Sequence, residues 1–480
     1  MPLSTLIVLP LFIFTITLAS FFKQKKWQLL TIILMTVIIV MELTSIYFSG
    51  GFIDYQFYVN LNVNDIIEGL FIFKLQALLV IVVFLGLVFI LSKLASLFRN
   101  KCRLLWRLPL AAIAIASISY HNGPISRIYE IYQVTCAPKA TFEQALQALN
   151  MSDYVAKSQI NSQQGKNIIV LSLESFEQGF LDFADITPNL RQLKQQYTFF
   201  PNMPMSAGST WTTASMYTYM TGVPFLIGEH STSPLKNANT TQLVTLGDVL
   251  KQAGYQTRYV MAGPEFAGIG HTAEVLGMQV ISDKTYPGKY PNAPFGLYDK
   301  DILEIAKLQI QEMNKTDKPF ALFISTVSTH APNGFHDDRM TAVISPKQDN
   351  MSFVAASLDY NLGQFIDQLK QQGMLDNTVF YIFPDHLMMG AGTETVKKLS
   401  EKERKLYLLT NASIDDLQKS PNQTIYQIDL PRLILNGAQI KTNAKFLTDY
   451  LIAEQVDKKQ FIEQHKANIA TLNNAAQEQK

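Results

Sequence analysis

Residues 167–177 read NIIVLSLESFE, a short apolar run rich in β-branched side chains that stops on Glu174. It is too brief for a helix and shows no polar alternation, which is the pattern of a strand buried on both faces of a parallel sheet. Similar runs follow at Thr257 to Met261, Phe320 to Thr326, Thr378 to Phe383 and Leu406 to Leu409. Helical patterns open between them, near Thr187 and Pro188, Thr212, Thr245, Asp299 and Ser357. This alternation predicts an α/β domain with a mostly parallel central sheet. Such sheets bind ligands beyond the carboxyl ends of their strands, so the residues that follow each strand are the ones that matter.

Those residues share one chemistry. Glu174 follows the first strand, His330 in STVSTHAPNGF follows the third, and Asp385 and His386 in YIFPDHLMMG follow the fourth. Between the first and second strands, residues 206–224 read SAGSTWTTASMYTYMTGVP, a turn rich in Gly and hydroxyls that opens into a helix. Each element has an ordinary explanation by itself: an exposed strand-end carboxylate, a turn with a capping Asp, a hydrogen-bonded loop histidine, a Ser or Thr cap. Two carboxylates, two imidazoles and a hydroxyl cluster after successive strands are together the parts of a metal-assisted transfer site.

The chain before position 122 is different in kind. Apolar stretches at Leu3 to Phe22, Trp27 to Phe48, Lys74 to Leu94 and Leu104 to Tyr120 are each near the ~20 residues that span a bilayer. The first carries no preceding basic residue and no small-residue cleavage site, so it is expected to remain as a span rather than leave as a signal peptide. Lys23, Lys25 and Lys26 mark one connection and Arg99, Lys101 and Arg103 another, whereas the loop between the second and third spans has Asp54, Asp65 and Glu68 and no basic residue. Basic loops stay in the cytoplasm, so everything from about 122 onward is expected to be extracytoplasmic. Cys102 and Cys136 then lie on opposite sides and cannot form a disulfide.

The expected organisation is four transmembrane helices over 1–122, a linker with an amphipathic helix over 123–165, a catalytic domain over 166–456 and a polar, peripheral or frayed tail over 457–480. Thr141 and Gln144 form a capping box, and the helix they open is expected to pack on the soluble domain rather than lie on the bilayer. With 40 Lys plus Arg against 39 Asp plus Glu, no global basic field supports a nucleic-acid partner.

In family order, NIIVLSLESFE, ITPNLRQL, GSTWTTASM through TGVP, LGDVLKQAGYQT, STHAPNGF, LKQQGMLDNTVFYIFPDHLMM and IDLPRLIL resemble the alkaline phosphatase and sulfatase superfamily. Within it they are similar to the membrane-bound phosphoglycerol transferases. The resemblance implies a sulfatase-like α/β domain, with Glu174, Asp385 and His386 matching the family's metal ligands. The family places its nucleophile ten residues before the Gly that closes the helix, and counting back from Gly222 reaches Thr212, both nucleophile and ligand. His330 matches a histidine that contacts the transferred group or moves a proton at the alcohol. Weaker substrate candidates are Trp211, His271 and His336; Arg339 lies nearby.

The implied reaction takes phosphoglycerol from phosphatidylglycerol to a periplasmic glucan or other envelope acceptor through a phospho-threonine, releasing diacylglycerol. The implied place is the bacterial inner membrane, multi-pass, with the catalytic domain outside. Oxygen and nitrogen ligands without thiolate suit Mn, with Mg or Zn as alternatives. The turn lacks the C/S-x-P-x-R pattern of formylglycine sulfatases, which speaks against sulfate ester hydrolysis. The stretch MAGPEFAGIGH lacks the Trp and Arg contacts of lipoteichoic acid synthases. Phosphoethanolamine transfer and lipid phosphodiester hydrolysis are the alternatives; a single extracytoplasmic Cys disfavours the disulfide-rich phosphoethanolamine class.

Overall fold

A computed structural model describes residues 3–49, 51–60, 74–119, 123–228, 235, 238–389, 393–399, 403–420 and 422–479. The chain divides into two compact units, one made of residues 1–135 and the other of most residues from 136 onward.

In the first unit, helices lie at all four apolar stretches: α1 (Leu3–Ser20), α2 (Lys25–Ser49), α3 (Lys74–Lys101) and α4 (Leu104–Ile118). Lys25–Tyr47 and Ala77–Lys101 are long and apolar enough to cross a membrane, and Val8–Ser20 and Leu104–Ile118 are shorter apolar helices. Asp65, Glu68 and Tyr120, which figured in the expected loops and fourth span, lie outside the described residues.

The second unit is built on a seven-stranded sheet. Its strands are β1 (Asn167–Leu173), β2 (Thr198–Met203), β3 (Gln256–Val260), β4 (Gln279–Ile281), β5 (Phe320–Ser325), β6 (Thr378–Pro384) and β7 (Leu406–Thr410). Their spatial order is β2-β7-β6-β1-β5-β3-β4. Only the β7 contacts are antiparallel; β1 pairs in parallel with both β5 and β6. Two strands escaped the sequence reading for physical reasons. β2 carries Pro201 and is only partly buried at the sheet edge, where the lost N–H is tolerated, and β4 has three residues, too few for a period.

Side chains alternate across β1, so each face has its own helix layer. Ile169, Leu171 and Leu173 join the core formed with α7 (Asp299–Met313) and α8 (Asn350–Gln371). Against the other face lies α6 (Thr212–Thr221), whose Tyr219 stacks on Phe323 and meets Phe383 edge-on. The expected start of α8 at Ser357 is corrected to Asn350: Asp349 caps the helix by accepting the Ser352 N–H. Helix α5 (Pro188–Gln196) begins where the Thr187 and Pro188 signal placed it.

The ends of this unit also need correction. Residues 466–476 are not a frayed tail but a helix with Ile469, Ala470, Leu472 and Asn473 buried. Asn473 accepts from the Tyr217 hydroxyl and donates to the Pro224 and Leu226 carbonyls, so this polar residue is core rather than surface. The helix Phe142–Gln147 has the predicted capping box and packs with Lys466–Ala476. The first unit ends in a further helix, Pro124–Thr135, inside the segment expected as a linker with one helix.

Candidate functional site

Register places the acidic groups. Leu173 of β1 pairs with Pro384 of β6, so Glu174 and Asp385 are the next residues on two neighbouring parallel strands. Strand spacing of ~4.8 Å then brings their carboxylates together. His386 follows at once, and one ligand atom from each of Glu174, Asp385 and His386 lies within 4.8 Å of the others. Nε2 of His386 is 3.5 Å from Glu174 Oε1 and 3.6 Å from Asp385 Oδ2.

Thr212 completes the cluster from the opposite side. It is the first residue of α6, and its hydroxyl donates to Glu174 Oε2 at 3.0 Å while lying 3.5 Å from His386 Nε2. Glu174, Asp385 and His386 are buried and Thr212 is half-exposed, so the hydroxyl is the member that an incoming substrate meets. Gly222 ends α6 at φ +71°, a left-handed cap where an added Cβ would press on Phe446.

The surrounding hydrogen bonds aim these atoms. Nδ1 of His386 faces the Leu387 carbonyl at 2.9 Å, which puts the proton on Nδ1 and leaves the Nε2 lone pair for a cation. Ser175, held at φ +52°, donates its N–H to Asp385 Oδ1 at 2.8 Å and its hydroxyl to Glu174 Oε1 at 2.7 Å. A non-glycine residue in that region is strained, and here the strain aims both donors at the two carboxylates. Gln427 donates to Ser215 Oγ at 2.8 Å and to the Asp385 carbonyl, tying α6 to the end of β6. Thr329 donates to the Glu174 carbonyl.

A further clamp lies beneath the His386 loop. Buried Glu177, three residues after Glu174, accepts the Met388 N–H at 2.9 Å and the Arg404 Nε at 2.9 Å. Arg404 also donates to the Met388 carbonyl. Nothing local in the sequence marks Arg404, whose role is visible only in three dimensions. Ser175 and Glu177, by contrast, sit inside LESFE and were overlooked beside Glu174.

Burial raises the Glu174 carboxyl, but His386, His330 and the hydrogen bonds from Ser175 and Thr212 outweigh it and hold the group below its ordinary value. Asp385 moves the other way, pushed up to about 7 by burial and by the Glu174 charge. Burial lowers His386, yet Asp385 and Glu174 more than compensate and raise it. Two buried carboxylates side by side, with an imidazole lone pair and a hydroxyl converging on them, form the donor set of a divalent cation. The residues present therefore fit the implied metal.

The remaining candidates separate clearly. His330 is half-buried among Phe266, Phe295 and Phe335, with ring centroids 6.2, 5.1 and 6.0 Å away, and Nδ1 faces the Ala331 carbonyl at 2.8 Å. Its turn is held by Asp299, which accepts the Val327 and Ser328 N–H groups. Trp211 is buried edge-on against Phe225. His271 spends its Nε2–H on the Leu235 and Ala238 carbonyls at 2.9 and 3.0 Å, beside an open cavity of about 570 Å³ that it lines with Glu265 and Lys284. His336 stacks on Phe353 and bonds Asn350. Arg339 is bound by Asp301 and Asp337.

Comparison with known proteins places this architecture. Phosphoglycerol transferase I of Escherichia fergusonii is 31% identical over 242 residues, covering 46% of this chain and 31% of that protein. The namesake from Citrobacter koseri matches with the same identity and coverage. The matched segment thus spans about a third of these relatives' length. The crystal structure of the lipoteichoic acid synthase LtaP from Listeria monocytogenes superposes with a TM-score of 0.50 at 17% identity, covering 66% of this chain and 79% of that one, and shares the fold. Residues 166–408, half of the chain and the sheet from β1 into β7, match the sulfatase family, and the chain belongs to it.

Proposed function

We propose that the chain is a metal-dependent phosphoglycerol transferase of the bacterial inner membrane, taking phosphoglycerol from phosphatidylglycerol and passing it to a glucan or another extracytoplasmic acceptor. One observation carries the reading: a half-exposed threonine hydroxyl at a helix N-terminus, 3.0 Å from one buried carboxylate and facing the free nitrogen of a buried imidazole. The relatives' name supports the phosphoglycerol donor. The apolar helices of the first unit support a donor that stays in the membrane.

The first step forms a bond from Thr212 Oγ1 to phosphorus and breaks the bond from phosphorus to the diacylglycerol oxygen. A threonine hydroxyl is almost wholly protonated at neutral pH, and a divalent cation held by Glu174, Asp385 and His386 would lower that pKa and offset phosphate charge. Glu174 Oε2 accepts the Thr212 proton along their hydrogen bond. The first N–H groups of α6 have no partner within the helix and face the phosphate oxygens. His330 delivers a proton to the departing alkoxide, and the products are diacylglycerol and a glycerophosphoryl ester on Thr212. In the second step His330 takes the proton of an acceptor hydroxyl, that oxygen bonds to phosphorus, and Thr212 leaves and regains its proton.

The test is diacylglycerol release from phosphatidylglycerol vesicles by the full-length protein, with and without a glucan acceptor, with EDTA, with added Mn, and with Thr212→Ala. Metal-dependent release that Thr212→Ala lowers by ~10³ or more supports the reading. Consumption of phosphatidylethanolamine instead of phosphatidylglycerol overturns the donor, and release that continues at full rate without any acceptor hydroxyl but water makes the protein a phosphodiesterase.

A further inference from the structure

The helix Pro124–Thr135 presents two unlike faces. Pro124, Glu130 and Val134 are buried, and Glu130 is paired with Arg127 at 2.9 Å. Ile125, Ile128, Tyr129 and Tyr132 are 42%, 61%, 59% and 59% exposed. Their spacing of i, i+3, i+4 and i+7 puts them in one stripe. Four large apolar or aromatic side chains in a row do not stay in water without reason.

The occupant follows from the chain itself. Pro124 lies six residues after the end of α4 at Ile118, so at ~3.5 Å per residue the helix starts within about 21 Å of it. α4 exposes Leu105, Leu108 and Ile113 by 76%, 61% and 63%, and α3 exposes Leu78, Leu85 and Phe89 by 59%, 62% and 65%. Those surfaces face hydrocarbon in the membrane reading given above. The stripe is apolar like those surfaces and sits on a helix only a short connection away in the chain, and it ends in tyrosines, which favour the headgroup level because the ring is apolar and the hydroxyl is wet.

We propose that Pro124–Thr135 is an interfacial helix, with Ile125, Ile128, Tyr129 and Tyr132 inserted at the boundary of headgroups and acyl chains in the outer leaflet. The inference rests on the membrane reading of the first unit and places a lipid contact that the transfer site does not supply.

The experiment uses the full-length protein in phosphatidylglycerol and phosphatidylethanolamine bilayers, in a Cys102→Ser, Cys136→Ser background. Nitroxides are placed by Ile128→Cys, Tyr132→Cys, Gln133→Cys and, as a control, Leu85→Cys. Oxygen partitions into the bilayer and a nickel chelate stays in water, so their relative collision rates report depth. The expected result is that labels at 128 and 132 favour oxygen, the label at 133 favours nickel and the label at 85 is deepest. Nickel-favouring labels at 128 and 132 beside a deep label at 85 overturn the inference and leave the membrane reading intact. A water-accessible label at 85 overturns both. As a second readout, Ile128→Ser with Tyr132→Ser raises the KM for vesicle lipid about tenfold or more and leaves turnover of a short-chain micellar donor unchanged; equal loss on both substrates contradicts the lipid contact.

Discussion

Two histidines follow parallel strands of the same sheet, and the structure treats them differently. Beyond β1 and β6, His386 keeps Nε2 free because Nδ1 is occupied by a backbone carbonyl, and two buried carboxylates stand beside the free nitrogen. Beyond β3, His271 points its Nε2–H into two backbone carbonyls. The first arrangement is poised for a ligand, and the second fastens a loop. What makes a histidine a candidate ligand is the direction of its spare nitrogen, and that is set by residues remote in sequence.

The sharpest way to break this contrast is to loosen the clamp behind His386. Arg404→Ala leaves the Glu177 carboxylate buried without its cation and the Met388 carbonyl without its donor. Disturbing groups that orient metal ligands typically costs 10- to 100-fold in metal affinity, so calorimetric Mn titration should weaken by about that factor. Arg404→Lys should recover part of it. Unchanged affinity in a folded Arg404→Ala protein would remove the clamp from the account.

A smaller effect is expected at His271. His271→Ala strips two carbonyls of their donor and should lower stability by about 1–3 kcal/mol in denaturant melts. Mn affinity should stay within twofold of wild type. A large loss of metal binding would erase the difference between the two histidines.

The subtlest prediction concerns pH. Burial pushes the Asp299 carboxyl up to about 6, against its hydrogen bonds from Val327 and Ser328. The folded protein therefore holds this proton between about pH 4 and 6 while the unfolded chain has released it. Its contribution to stability is full below about pH 4 and is lost as pH rises to 6. Asp299→Asn keeps the accepting oxygen and removes the titration, so the variant should gain on wild type across that window by an amount on the order of 1 kcal/mol. Parallel stability profiles for the two metal-free proteins would contradict the assignment.

Much of this was legible in the sequence because parallel strands write their ends plainly. The run 167–173 and the run 378–384 each break on a charged residue, and pairing of Leu173 with Pro384 turned two separate motifs into one site. Thr212 came from the family resemblance, by counting ten residues back from Gly222. The misses share a physical cause. Arg404 and Gln427 bond residues more than two hundred positions away, and Asp299 bonds residues 28 and 29 positions away; no local period announces such contacts. β2 was hidden by Pro201, and the C-terminal helix by Asn473, a polar side chain whose hydrogen bonds are all internal. The stripe at Ile125, Ile128, Tyr129 and Tyr132 has a helical period in the sequence, and it forms a helix in addition to the one that Thr141 caps.

The central claim is that Thr212 carries the transferred group. The most direct measurement is peptide mass spectrometry of the full-length protein, quenched in acid during turnover of phosphatidylglycerol with no acceptor present. The account predicts a glycerophosphoryl adduct on Thr212 that forms only with a divalent cation and disappears when an acceptor alcohol is added. Diacylglycerol release with an unmodified Thr212, or an adduct on another residue, would contradict it.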